Sequence, residues 1–464
     1  MAFLDEHFLL HSKAARRLYH EYAVTQPIID FHSHLSPRDI ASRRQFANLF
    51  EIWLEGDHYK WRAMRTAGVP ERYCTGTALD YDKFAAWAAT VPQTLRNPLY
   101  GWTHLELQRY FGIDDRLDAS SAPDIWARAN ARLAEPGLTA SGILERFDVQ
   151  VLYTTDDPAD PLEHHATLRA KGSLNVFPTF RPDAALQVDA PDGLRAWVLR
   201  LERSADVAIS SLAHLTEALT RRHQAFHEAG CRLSDHGLAY CHAVPCTERD
   251  ADVIFTHALD GRAASPEEYE RFASFLMLFF GHLDHQKGWT KQLHLGARRN
   301  VNTRMARTLG RDAGFDSIGD GPQVNALAAY LDALDAEDAL PRVIIYNSNP
   351  ADNHAFATMI GNFQDGTTAG KVQFGSAWWF LDQKRGIEAQ LDALSDAGLL
   401  STFVGMVTDS RSFMSFPRHE YFRRVLCNML GAEMERGELP HDLALVGSLV
   451  ERVCYTNARD RFAP

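Results

Sequence analysis

The chain has 464 residues, of which 45% are hydrophobic and 23% charged, and a formal net charge of −12. That composition leaves ample apolar surface for a large core, and the acidic balance argues against general binding to nucleic acid or to an anionic membrane. The start, Met1-Ala2-Phe3-Leu4-Asp5-Glu6, lacks a basic-then-apolar signal pattern, the most apolar run (275–280) is too short to span a bilayer, and six sparse cysteines read as free thiols, so a cytoplasmic protein is expected.

Residues 5–23 read as an amphipathic opening helix. The first β-rich run, 28–34, leads straight into His32-Ser33-His34. The next segment, 37–145, is rich in Trp, Tyr, Ala and Leu at helical spacings and is far longer than one crossover helix, so it is expected to be a helical insertion covering the barrel mouth. Further β-rich runs follow at 149–155, 174–180, 231–236, 291–295, 343–347, 371–375 and 402–408. Helical stretches separate several of them, at 211–229 with Gly230 as the C-terminal stop, at 267–280 and at 387–397. Strands alternating with helices predict an α/β fold, a single (β/α)8 TIM barrel over 1–464 with the large helical insertion after its first strand.

Barrel enzymes build their sites from the C-terminal ends of the strands. Here those ends carry His32 and His34, then Thr154, Thr155 and Asp156, then Arg181, then Asp235 and His236, then His294, Asn347, the Trp378-Trp379 pair and finally Asp409 with Arg411. Residues two apart on a strand point to the same face, so His32 and His34 can share one ion. In a chain with 21 His, roughly one His-x-His arises by chance, and it is the apolar strand running into this pair that singles it out. Asp409 follows the apolar run 403–407 on the strand that closes a barrel beside the first, which makes it the candidate third ligand and leaves a position open for water or substrate. A competing cluster, Cys241-His242…Cys246, lacks a second Cys pair at zinc-finger spacing. His164-His165 and the helical pair His223/His227 are expected on the solvated surface.

The His32-x-His34 pair with a strand-eight Asp resembles the amidohydrolase superfamily, and longer blocks narrow the resemblance to the uronate (glucuronate) isomerase family. These blocks include Asp30-Phe31-His32-Ser33-His34-Leu35-Ser36-Pro37, Asp57-His58-Tyr59-Lys60-Trp61-Arg62, Phe180-Arg181-Pro182-Asp183, Trp378-Trp379-Phe380 and Thr408-Asp409-Ser410-Arg411-Ser412-Phe413. The resemblance covers nearly the whole chain. It implies interconversion of D-glucuronate with D-fructuronate and of D-galacturonate with D-tagaturonate. It also implies His32, His34 and Asp409 as ligands of one divalent metal, zinc being expected. Arg181, Arg411, His58 and Tyr59 match positions that grip substrate or assist proton transfer. His294 matches a strand-five histidine that many superfamily relatives use as a ligand and that uronate isomerases leave off the metal. Asn347 in place of a strand-six metal histidine argues for one metal and against a two-metal hydrolase. A homo-oligomer acting on a small-molecule uronate, with no nucleic acid or membrane partner, is expected.

Such an isomerisation moves a proton from C2 to C1 through an enediol, which needs a base near C2 and fixed positive groups near the oxygens. Asp409 is the candidate base, Arg411, Tyr59 and His58 its catalytic partners. Guanidinium binds carboxylate bidentately, which suits Arg181 and Arg411 to a sugar acid. Trp378 and Trp379 are expected to wall the site and His294 to face substrate. A hydride shift, a metal-dependent amide or lactone hydrolase on the same barrel, and a uronate-binding protein without turnover remain open on the residues alone.

Overall fold

The computed structural model describes residues 3–463. Seven parallel strands form the frame: β1 (Ile28–Asp30), β2 (Val149–Tyr153), β3 (Asn175–Phe177), β4 (Leu233–Leu238), β5 (Thr290–Leu295), β6 (Arg342–Asn347) and β7 (Val372–Phe374). β1, β2 and β3 make a three-stranded sheet, and β4 to β7 a four-stranded one. Parallel bridges from Asp156 to Phe180 and from Phe180 to Ser234 join the two through the residues that follow β3. All six residues of β5 are buried, as expected for a strand covered on both faces.

The eighth expected strand, 402–408, carries no regular ladder. Its extended backbone lies between β7 and β1. On the β1 side, Asp409 N donates to His32 O at 3.1 Å and His34 N to Ser410 O at 3.0 Å. On the β7 side, the Gln373 side chain does the pairing, donating to Thr402 O at 3.0 Å and accepting from Val404 N at 3.2 Å. Positive φ at Gly405 (82°) and Asp409 (44°) turns the chain out of a β ladder, and side chains take over its backbone groups.

The expected helices at 211–229, 267–280 and 387–397 appear as Leu212–Glu228, Pro266–Lys287 and Lys384–Ala397. The second is longer than expected because Ser265 and Glu268 form a capping box at its start and Gly288 ends it in a left-handed turn. The opening helix is shorter than 5–23: Ser12 caps Lys13–Leu18, which widens into a π turn at Tyr19–Ala23. The 37–145 segment is helical, and its Leu49, Trp53, Phe84 and Trp87 are buried in the main core. A second excursion, absent from the sequence reading, lies between β5 and β6. There Ala297–Arg298 pairs antiparallel with Ser317–Ile318 around the helix Thr303–Leu309.

Two histidines expected at the surface are buried. His165 Nε2 lies 2.8 Å from Thr154 Oγ1. His223 Nε2 lies 3.1 Å from Asp284 Oδ1, with its ring stacked on Trp289 at 3.7 Å. Polar partners from other elements, invisible to helical spacing, make both burials tolerable. All six cysteines are free. His242 pairs with Glu270 at 2.9 Å, and among the described residues no metal-type cluster gathers at Cys241 or Cys246. Among the described residues no helix is long and apolar enough to cross a membrane.

Candidate active site and metal centre

β1 delivers two imidazoles to the rim. His32 Nε2 and His34 Nε2 each lie 3.0 Å from one atom, Oδ1 of Asp409. Asp409 is aimed by its neighbours. The buried carboxylate of Asp30 accepts from Thr408 N at 3.0 Å and from Thr408 Oγ1 at 2.5 Å, which pins the residue before it. Trp378 Nε1 donates to Asp409 Oδ2 at 2.8 Å. Burial alone would raise the Asp409 carboxyl, but the hydrogen bonds from His32 and His34 outweigh it and hold the group well below the usual carboxylate range.

This donor set fits a divalent metal ion. Ligand atoms about 2.0 Å from a tetrahedral ion lie about 3.3 Å from one another, close to the 3.0 Å found here. Two histidines and a carboxylate with one side open to the cavity form an open ligand set, and the buried Nδ1 of His32 has no protein partner. A second grouping, His32 with Asp235 and His294, shares the first histidine. In it, His294 Nδ1 is held by Asp235 Oδ1 at 2.7 Å, its ring stacks on Tyr346 at 4.2 Å, and its buried Nε2 is free of partners.

Arg181 enters from the turn after β3. Its Nε donates to Asp183 Oδ2 at 3.0 Å and its Nη1 faces Asp235 Oδ2 at 3.0 Å. The Nη2 end of the guanidinium points at Gly237, where an added Cβ would sit 2.1 Å from Nη2 and 3.3 Å from Cζ. Burial would raise the Asp183 carboxyl, but Arg181 and His236 bring it down to about 2.

His58 and Tyr59 come from the insertion, at the start of the helix His58–Thr66. Asp57 caps that helix by accepting from Tyr59 N at 3.0 Å and Lys60 N at 2.9 Å. Burial keeps the His58 imidazolium below its ordinary range. The Tyr59 ring packs edge-on against Phe380, and the Arg418 guanidinium lies over it at 5.9 Å. Arg411 is half exposed and pairs with Asp312 Oδ2 at 3.1 Å. Trp379, with its φ in the left-handed region at 59°, lies under the Arg299 guanidinium at 4.9 Å.

His32, His34, Asp409, Arg181, His58, Tyr59, His294, Trp378, Trp379 and Arg411 all line one cavity, whereas Asp235 and His236, also at a strand end, do not. Asn347 does not, because its amide is tied to Asn349 O and Asn353 Oδ1 at 2.7 and 2.9 Å. Sequence reasoning missed Arg299, Asp312 and Arg418, which also line the cavity. Arg299 and Asp312 lie on the unexpected excursion, and Arg418 opens the helix Pro417–Arg436 with its Nη1 3.2 Å from Asp382 Oδ2. A larger cavity of about 1100 Å³ opens on the other side of Tyr59 without a cluster of metal-type ligands among its described residues.

The family model for glucuronate isomerase matches residues 1–462. The uronate isomerase of Solibacter usitatus is 59% identical over 460 residues, covering 99% of this chain and 98% of that protein. That of Opitutus terrae is 58% identical over 461 residues, covering 99% and 97%. The crystal structure of uronate isomerase from Thermotoga maritima shares 33% identity with a TM-score of 0.94 and covers 100% of both chains. With a full-length family match, close relatives along the entire chain and the same fold, this chain belongs to the uronate isomerase family, also called the glucuronate isomerase family.

Proposed function

We propose that the chain is an aldose–ketose isomerase (EC 5.3.1.12) that converts D-glucuronate to D-fructuronate and D-galacturonate to D-tagaturonate in uronate catabolism. The observation that carries this is the convergence, in one cavity, of the His32–His34–Asp409 set with the guanidinium groups of Arg181 and Arg411. One group can hold a divalent cation, and the other can hold the carboxylate that distinguishes a sugar acid from a sugar.

In this reading His32, His34 and Asp409 hold a single divalent ion, zinc, which when bound polarises substrate oxygens as a Lewis acid. The Oδ2 atom of Asp409, which accepts only from Trp378 and so keeps a second lone pair, takes the proton from C2 and returns it to C1. Arg411 offsets the negative charge that develops on the enediol oxygens, and Tyr59 with His58 passes a proton between them. Arg181 and Arg411 grip the carboxylate end, with His294 facing the substrate. Trp378 and Trp379 wall the cavity and keep bulk water from the intermediate. Residues 1–464 form one barrel domain, with 37–145 as the cover that brings His58 and Tyr59 over the mouth. The enzyme is a cytoplasmic homo-oligomer.

The test is turnover of D-glucuronate and D-galacturonate by metal-loaded wild type and Asp409→Asn, together with metal analysis. Isomerisation by the wild type and its loss in the variant are expected. A metal-loaded wild type that binds both uronates without converting either overturns the proposal. Solvent deuterium at C1 of the ketose product is expected from the enediol route, and its complete absence points to a hydride shift.

A further inference from the structure

Behind Arg181, on the outer side of the strands, runs a polar chain, buried except at the partly exposed Asp183, that touches the cavity nowhere except through that arginine. β4 alternates, so Asp235 points inward to His294 while Ser234 and His236 point outward toward the helix Pro266–Lys287. Lys291 on β5 points outward as well and is fully buried. Its ammonium meets Asp284 Oδ2 at 2.7 Å, His236 Nε2 at 3.1 Å and Ser234 Oγ at 3.3 Å, which accounts for all three of its protons. Ser234 Oγ in turn donates to Asp284 Oδ2 at 2.6 Å.

The chemistry of the donors sets the direction of the chain. An ammonium has no lone pair, so His236 Nε2 accepts from Lys291 and the ring proton sits on Nδ1. That Nδ1 donates to Asp183 Oδ1 at 2.9 Å. The other oxygen of Asp183 accepts from Gly237 N at 2.9 Å and from Arg181 Nε at 3.0 Å. Burial and the neighbouring Lys291 both keep the His236 imidazolium below its ordinary range, in keeping with a neutral ring. A charged, fully hydrogen-bonded chain of this kind costs desolvation and is no better for stability than apolar packing. Asp183, His236, Lys291 and Asp284 do not line the cavity, and what the chain does fix is the rotation of one guanidinium.

We propose that Asp183 and His236, anchored by Lys291 and Asp284, are positioning residues that hold Arg181 in the orientation in which it meets the substrate. The inference rests on the reading of Arg181 as a substrate contact. Asp183 accepts on both oxygens at once, so asparagine there must give up either His236 or Arg181 and removes the charge as well. Asparagine at 236 places an amide N–H near the position of Nδ1, whereas glutamine places its polar end near Nε2, facing Lys291 and away from Asp183.

The experiment is steady-state kinetics on D-glucuronate with metal-loaded wild type, Arg181→Gln, Asp183→Asn, His236→Asn, His236→Gln and the double variant Asp183→Asn/His236→Gln. Asp183→Asn and His236→Gln are expected to raise KM about tenfold, the weight of one hydrogen bond to a charged group, with kcat changed much less. His236→Asn is expected to stay within about threefold of wild type, and His236→Gln to add less than about twofold once Asp183 is asparagine. A merely structural His236 would favour glutamine over asparagine and would act equally in both backgrounds, and that result overturns the inference. So does a KM for Asp183→Asn within about twofold of wild type while Arg181→Gln raises it. An unchanged KM in Arg181→Gln instead overturns the substrate reading of Arg181, and the inference falls with it.

Discussion

The indole N–H of Trp378 donates to Oδ2 of Asp409 at 2.8 Å, on the oxygen opposite the one that faces His32 and His34. The carboxylate is therefore clamped from both ends, and its rotation about χ2 is fixed. Trp378→Phe keeps most of the aromatic wall and removes the clamp. We expect kcat to fall about tenfold with bound metal retained, the usual weight of a hydrogen bond to a charged group. Kinetics paired with metal analysis checks this, and an unchanged kcat would mean that the tryptophan only fills space.

The spacing of His32, His34 and Asp409 predicts a site that binds metal and stabilises the fold in proportion. A ligand present at a hundred times its Kd adds about 2.7 kcal/mol to a protein that binds it only when folded. Dialysis against a chelator should therefore lower Tm as well as turnover, and zinc should restore both. His34→Ala should show the lower Tm with no response to added zinc. A Tm indifferent to chelator would count against a bound structural ion at this set.

Gly237 gives Arg181 Nη2 room to approach, and a Cβ there would meet Nη2 at 2.1 Å and Cζ at 3.3 Å. Its φ lies outside the left-handed region, so alanine fits the backbone and only the guanidinium must move. Gly237→Ala should raise KM for uronates about tenfold, because a small displacement of a positioning group is costly, while Tm falls only modestly. Equal KM in variant and wild type would show that Arg181 sits at the edge of the substrate's footprint.

How much of this was legible in the chain follows from the forces involved. Seven strands stand where the β-rich runs predicted them, most plainly at 343–347, because a parallel strand buried on both faces is rich in apolar residues. The eighth failed as a regular strand because Gln373 and Asp30 satisfy its backbone through their side chains, a long-range substitution that leaves no local pattern. His32, His34 and Asp409 were legible because each follows an apolar run that ends at the same rim, although Asp409 is reached through a turned backbone rather than a regular strand. The chain through His236, Lys291 and Asp284 was not, since each is an ordinary residue until the helix Pro266–Lys287 packs onto β4 and β5. Asp312 was hidden for a similar reason: an excursion with two two-residue strands has too little periodicity to read.

Asp312 now faces Arg411 at 3.1 Å, with about half of each side chain exposed. Exposed pairs of this kind are worth about 0–1 kcal/mol, so the contact holds the excursion only loosely. It does, however, occupy a guanidinium that the substrate carboxylate is proposed to use. Asp312→Asn frees that guanidinium, and KM for D-glucuronate is expected to fall up to about fivefold, the ceiling set by a pair of that strength. Steady-state kinetics at low salt gives the most sensitive measurement, because screening weakens the competition. A rise in KM would instead assign Asp312 to holding Arg411 in place.

Asp156, on the loop after β2, offers a test of stability separate from catalysis. Burial pushes its carboxyl up to about 7, opposed only in part by the hydrogen bond from Thr154 Oγ1 at 2.7 Å. A carboxyl in an unfolded chain titrates near 3.9. Because the folded value is the higher one, the folded state binds the extra proton. The stability this contributes is complete below about pH 4 and is lost as pH rises through about 7. Raising the pH from 5 to 8 should cost the wild type on the order of 1–4 kcal/mol at this residue. Asp156→Asn, which stays neutral and keeps an acceptor for Thr154, should lack that component and melt above wild type at pH 8. Thermal unfolding of both proteins at pH 5 and pH 8 decides it, and parallel losses in the two would place the pH sensitivity elsewhere in the molecule.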